Sequence, residues 1–193
     1  MKRFIKILAV TCVAALALAA MAAAGASAAT FTASAAGKVK GVQTTNQVFT
    51  ISSSSKVTCP KAHTTGEIKS PESPEQHVTV TYTECVATFF GINAGSVTIN
   101  PATYNFTADG EVHVLNTITI HSNFLACDVV VTPQTVKSAG YTNNAALTDI
   151  TVAANVSGIV SESTNGCPTS STGTYTGSNT VEREGGGFIR WDK

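Results

Sequence analysis

Charge is scarce in this chain. Its 193 residues hold 12 Lys and Arg against 12 Asp and Glu, 12% of the total. Such thin, scattered charge offers no basic patch for neutralising phosphates, which argues against a nucleic-acid partner. Aromatic residues make up only 7%, with a single tryptophan, and leucine, lysine and glutamate are few. No stretch keeps a helical period beyond the first thirty or so residues. No Gly-x-Ser-x-Gly elbow occurs, so the common α/β-hydrolase nucleophile is excluded. The glycine-rich "EGGGF", Glu184 to Phe188, has no following lysine or helix to make a phosphate cradle; it reads as a hairpin turn into "FIRWD".

What the chain does have begins with a leader. Lys2, Arg3 and Lys6 precede an uncharged, Ala-rich run from Ile7 to Ala24, and Ala26-Ser27-Ala28 supplies the small residues of a cleavage site. These are the three parts of a secretory signal, with the cut expected after Ala28. An uncleaved anchor is the alternative, since ~18 apolar residues can just span a bilayer. Alanine is weakly hydrophobic, and the small-residue exit favours cleavage. Cys12 follows Thr11 inside the apolar run, which does not suit a lipoprotein. Residues 29–193 are then expected as one exported domain, with no second apolar run of membrane-spanning length. Three of the 12 basic residues lie in the leader, so nine face 12 acidic ones, a net charge of −3.

Four cysteines remain beyond the leader: Cys59, Cys85, Cys127 and Cys167. An even number in an exported chain favours disulfides. Their spacings of 26, 42 and 40 positions do not resemble zinc sites, whose cysteines come in close pairs. Three connectivities are open, and loop closure favours the local one, Cys59–Cys85 with Cys127–Cys167.

The remaining residues favour Thr, Ser, Val and Ile, the composition of strands. Apolar and polar residues alternate through "HVTVTYTE", "SVTINP", "TYNFTADGEVHVLNTITI" and "DITVAANVSG". "CDVVVTP" is continuously apolar, as expected of a central strand covered on both faces. Weaker strands run through "FTASA", "QVFTIS", "KVTCP", "GTYTG", "NTVERE" and "FIRW", divided by turn signals such as "SPESPEQ", "FFGINAGS" and "SESTNGCPTSSTG". The expectation is an all-β antiparallel sandwich of roughly eight to eleven strands, with a closed or partly open barrel as the alternative. Around "ADG", a three-residue loop (Ala108-Asp109-Gly110) pairs Phe106 with Val112, Tyr104 with Val114 and Asn105 with His113. This register keeps the hydrophobic set on one face.

Residues that could carry chemistry do not gather in the sequence. His113 and His121 share the polar face if their strand is unbroken, ~27 Å apart at ~3.4 Å per residue, too far for one metal. His63 and His77 lie in or beside turns without matching spacing. Glu72 and Glu75 sit in a Pro-rich loop, Asp109 in a turn, Asp149 at the start of a strand, and Glu182 and Glu184 on one face of "VERE". A glycosidase needs two carboxyls across a cleft, and linear spacing identifies no such pair. No catalytic, metal or cofactor residue is assigned. Phe89, Phe90 and Trp191 are candidates for an aromatic ligand platform, with core packing the simpler reading of each. Asn105 and Asn155 match the N-glycosylation sequon, which matters only in a host that modifies exported proteins.

The Ala-rich leader, "ATYNFTADGEVHVLNTITI", "YTNN" and "GTYTGSNTVEREGGGFIRWD" give the chain a resemblance to small exported, Thr/Ser-rich all-β bacterial proteins of uncharacterised function. That resemblance implies a bacterial exported β-protein and transfers no functional residue. The leading functional expectation is a secreted or cell-surface module with a structural or binding role. Carbohydrate or a surface protein is its possible ligand. The alternative is a secreted hydrolase or lyase acting on polysaccharide or cell-wall material.

Overall fold

A computed structural model describes residues 28–193. The expected leader, apart from Ala28, lies outside the described residues. The alternating segments form strands throughout, and no helix occurs among the described residues. In chain order these are β1 (Thr30–Ala33), β2 (Gly37–Ser52), β3 (Ser55–Cys59), β4 (Lys61–Ile68), β5 (Glu72–Ser73) and β6 (Glu75–Thr83). Then come β7 (Val86–Phe89), β8 (Ile92–Ile99), β9 (Ala102–Thr107), β10 (Glu111–Val114), β11 (Ile118–Ser122) and β12 (Cys127–Val131). The last are β13 (Gln134–Lys137), β14 (Ala139–Asn143), β15 (Asp149–Thr164), β16 (Ser170–Arg183) and β17 (Ile189–Asp192).

The architecture corrects the sandwich in favour of the barrel. Strands β2, β16, β15, β12, β11, β8, β7 and β3 pair in that order, and β3 pairs back onto β2, closing a ring of eight. From β2 a second run leaves the ring through β4, β6, β9 and β10 to β13. Its last strand passes through Ser138, at φ 94°, directly into β14, which pairs with β15. The arm therefore leaves the barrel at one strand and returns to it at another. Two strands do double duty: β2 pairs β4 along Gly37–Val42 and β3 along Gln47–Ser52, and β15 pairs β14 along Ile150–Ala154 and β12 along Glu162–Thr164. Register shifts near Thr176, Ser178 and Asn179 of β16 mark where β2 passes from arm to barrel, as bulges do at barrel rims. A small sheet of β17, β1 and β5 covers one end.

Several registers follow the alternation. Val112 pairs Phe106, His113 pairs Asn105 and Val114 pairs Tyr104, the arrangement of the three-residue loop, with Gly110 at φ 94°. In β6, Val78, Val80 and Tyr82 are buried while Thr81 and Thr83 are exposed. Two expectations fail. Val129 and Val131 of β12 are buried, but Val130 between them is only half-buried, so this strand is covered fully on one face alone. The unbroken strand through both histidines is interrupted at Leu115-Asn116-Thr117, which places His113 on the arm and His121 on the barrel. The number of strands also exceeds the expectation, because segments without clear alternation, such as Lys61–Ile68 and Gln134–Lys137, form strands once a neighbour is there to pair with them.

Most buried apolar residues belong to one cluster. It joins barrel residues such as Phe49, Val57, Phe89, Val97 and Val129 to arm residues such as Val80, Tyr82, Ala102, Val112 and Val136. A second cluster, around Phe31, Ile68, Tyr141, Ile150 and Ile189, packs beneath the small end sheet.

Candidate functional site

The core is not filled. Where the arm's inner face meets the barrel wall lies a cavity of about 100 Å³, lined almost wholly by apolar side chains. Val80 (β6), Phe106 (β9), Val112 and Val114 (β10) and Val136 (β13) form one side; Phe49 (β2), Ile120 (β11), Val131 (β12), Val156 and Ile159 (β15) form the other. The composition explains the space. Valine and isoleucine suit strands but are short, and no leucine or tryptophan reaches the centre. A smaller space of about 40 Å³ adjoins it, sharing Val80, Phe106, Val152 and Asn179.

One wall of the cavity is polar. The Tyr82 hydroxyl lies 2.9 Å from that of Tyr104 and 3.3 Å from that of Tyr175. Tyr175 donates in turn to Gln47 Oε1. Gln47, only 2% exposed, turns its Nε2 towards Thr45 O at 3.1 Å, Ser178 O at 3.3 Å and Asn179 Oδ1 at 3.1 Å. The Gln47 amide sits over Gly177, where a Cβ would come within 1.9 Å of Oε1, so no other residue fits there unchanged. Tyr82 is buried, and Tyr104 and Tyr175 are half-buried; all three line the cavity. Burial pushes the Tyr104 phenol up to about 12 and raises Tyr82 and Tyr175 as well. All three therefore stay neutral at ordinary pH. No charged residue lines the space. A neutral, largely apolar interior with a few convergent polar groups has the character of a small-molecule site.

No protein family, curated protein or solved structure matches this chain. The site is therefore read from its own chemistry.

Of the candidate site residues singled out in the sequence, Cys59 alone lines this cavity. Cys59 is bonded to Cys85 and Cys127 to Cys167, the local pairing. Two disulfides fit an oxidising, extracellular environment. Phe89 is fully buried in the main core, Phe90 is exposed in a left-handed turn, and Trp191 joins the second cluster. Trp191 Nε1 donates to Ala108 O at 2.8 Å, and its ring lies 5.8 Å from that of Tyr141. These three aromatics thus occupy different surroundings and form no common face.

His113 Nδ1 is 2.8 Å from Thr135 Oγ1, beside Glu111, whose other carboxyl oxygen is 2.8 Å from Lys137 Nζ. His121 Nδ1 is 2.6 Å from Asp128 Oδ1, and Thr164 donates to the same carboxylate at 3.1 Å. Hydrogen bonding from His121 holds the Asp128 carboxyl below its usual range. This pair lies on the partly exposed outer face of β11 and β12. No group of three His, Cys, Asp or Glu side chains suited to a metal occurs among the described residues. No helix there is long and apolar enough to cross a membrane. Glu182 pairs with Lys40 at 3.1 Å and Glu84 with Lys61, while Glu75 accepts from Asn105 Nδ2 at 2.6 Å. That bond, and burial to 7%, closes the Asn105 sequon in the folded chain, whereas Asn155 is exposed.

Tyr82, Tyr104, Tyr175 and Gln47 escaped the sequence reading as functional residues. A signal was present: Tyr82 and Tyr104 stand at inward positions, where a hydroxyl needs a partner. Which partner it finds depends on strands far apart in sequence.

Proposed function

We propose that this protein is an exported β-domain with a binding role, holding a small apolar ligand in the space between the arm and the barrel. The observation that carries this reading is the unfilled interior itself, a cavity of about 100 Å³ with an apolar lining and a hydrogen-bonded tyrosine–glutamine wall. Filling such a space with protein atoms would stabilise the fold by about 24 cal/mol per Å³. Leaving it empty is costly unless something occupies it. Export is supported by the leader and by the two disulfides. The volume is below the roughly 300–1,000 Å³ of sites for drug-sized ligands, which directs the reading to small compounds.

The test is a thermal-shift panel of small apolar compounds, run beside turnover assays on cell-wall polysaccharides. A raised melting temperature with one or more compounds, and no turnover, supports the binding role. Turnover abolished by a single carboxyl substitution would replace it with the hydrolase or lyase reading.

A further inference from the structure

We infer that the ligand of this interior is a small, uncharged, apolar molecule carrying one hydrogen-bond donor, whose O–H or N–H docks on the Tyr104 hydroxyl oxygen. This inference rests on the binding role proposed above and adds the chemistry of the ligand.

The direction of each hydrogen bond in the polar wall can be assigned by counting donors. Gln47 Nε2 faces three acceptors, Thr45 O, Ser178 O and Asn179 Oδ1, so its Oε1 faces Tyr175. Tyr175 has one hydroxyl hydrogen and spends it on Gln47. Its oxygen can then only accept, and the donor within reach is Tyr82 at 3.3 Å. Tyr82 donates its own hydrogen there and accepts from Tyr104 at 2.9 Å. The series Tyr104 to Tyr82 to Tyr175 to Gln47 uses every hydroxyl hydrogen. The reverse order at Tyr82 would strand the Tyr104 hydrogen in an apolar space and leave the Tyr175 oxygen without a donor, which buried polar groups rarely tolerate. The series therefore ends at the oxygen of Tyr104, a residue lining the cavity, and no donor to that oxygen occurs among the described residues.

What completes the series is a donor. A charged group is excluded because no charged side chain lines the cavity to offset its desolvation. The volume is about two-thirds of the ~150 Å³ engineered cavity that takes benzene, which limits the body to a few carbons. Alcohols of that size meet all three conditions. An acceptor-only compound could be hydrogen-bonded by Tyr104 only by reversing the series.

Cyclobutanol, cyclobutanone and cyclopentane match in size and differ in hydrogen bonding, so their affinities for the full oxidised protein, measured by ligand-observed NMR, form the test. Cyclobutanol is expected to bind about tenfold tighter than cyclobutanone, the worth of one buried hydrogen bond. In Tyr104→Phe that preference should vanish while cyclopentane binding persists. In Tyr82→Phe the Tyr104 hydrogen loses its acceptor, so the preference should turn towards the ketone. Cyclopentane binding with no alcohol preference, or a preference that survives Tyr104→Phe, would overturn the donor assignment and leave the binding role standing. Saturable binding by none of the three would overturn both.

Discussion

The Tyr82 hydroxyl bridges two others, 2.9 Å from Tyr104 and 3.3 Å from Tyr175, and so ties β6 to β9 and to the long barrel strand β16. The middle position makes Tyr82 costlier to truncate than Tyr104 at the end of the series. Tyr82→Phe leaves one donor and one acceptor unsatisfied in a largely apolar site, an expected loss of ~1–3 kcal/mol. Tyr104→Phe removes only the end of the series and should cost about 0.5–1.5 kcal/mol. Denaturant unfolding of both variants gives the order, and an equal or reversed order would contradict the series.

Alkaline pH should act on the same cluster. Burial raises all four tyrosines, Tyr82, Tyr104, Tyr141 and Tyr175, above the usual value near 10, with Tyr104 pushed up to about 12. The folded chain keeps these protons after the unfolded chain has lost them. Their contribution is thus complete below pH ~10 and is lost as pH rises towards the folded values. Absorbance at the tyrosinate band should stay flat through pH ~10–11 and then rise together with unfolding. A normal tyrosine titrating with the fold intact would contradict the burial.

Gly177 is predicted to accept a side chain only by displacing Gln47. A Cβ there meets Gln47 Oε1 at 1.9 Å, so Gly177→Ala must expel the amide that receives the Tyr175 hydrogen. The expected cost is ~1–3 kcal/mol of overpacking, plus loss of the alcohol preference. Combining Gly177→Ala with Gln47→Ala should cost less than the two single losses together, because they disrupt one contact. Strict additivity in denaturant melts would show that the contact is not shared.

The disulfides close loops of similar size. Replacing Cys59 and Cys85 together by alanine, or Cys127 and Cys167, should each lower stability by ~2–4 kcal/mol. Mass spectrometry of the exported protein should find no free thiol among these four. Four free thiols would contradict the bridges.

Local patterns were the readable part of the sequence. The "ADG" register follows from which residues must share a face, and the cysteine pairing from loop length. Barrel closure was not readable, because it depends on β3 returning to β2 and on β2 changing partners at a bulge halfway along. Nothing in "GKVKGVQTTNQVFTIS" marks that exchange except the polar run "QTTNQ", Gln43 to Gln47, which interrupts the alternation between Val39 and Phe49. The cavity was least readable of all. It is an absence, created where short side chains from separate strands fail to meet, and no single segment records it.

Methyl NMR of the oxidised protein during a cyclopentane titration tests the interior site most directly. Saturable shifts are expected at Val80, Val112, Ile120 and Val136, which line the cavity, with Val42 and Val160 on the surface unmoved. Shifts that fail to saturate, or that appear equally at Val42 and Val160, would contradict an interior site.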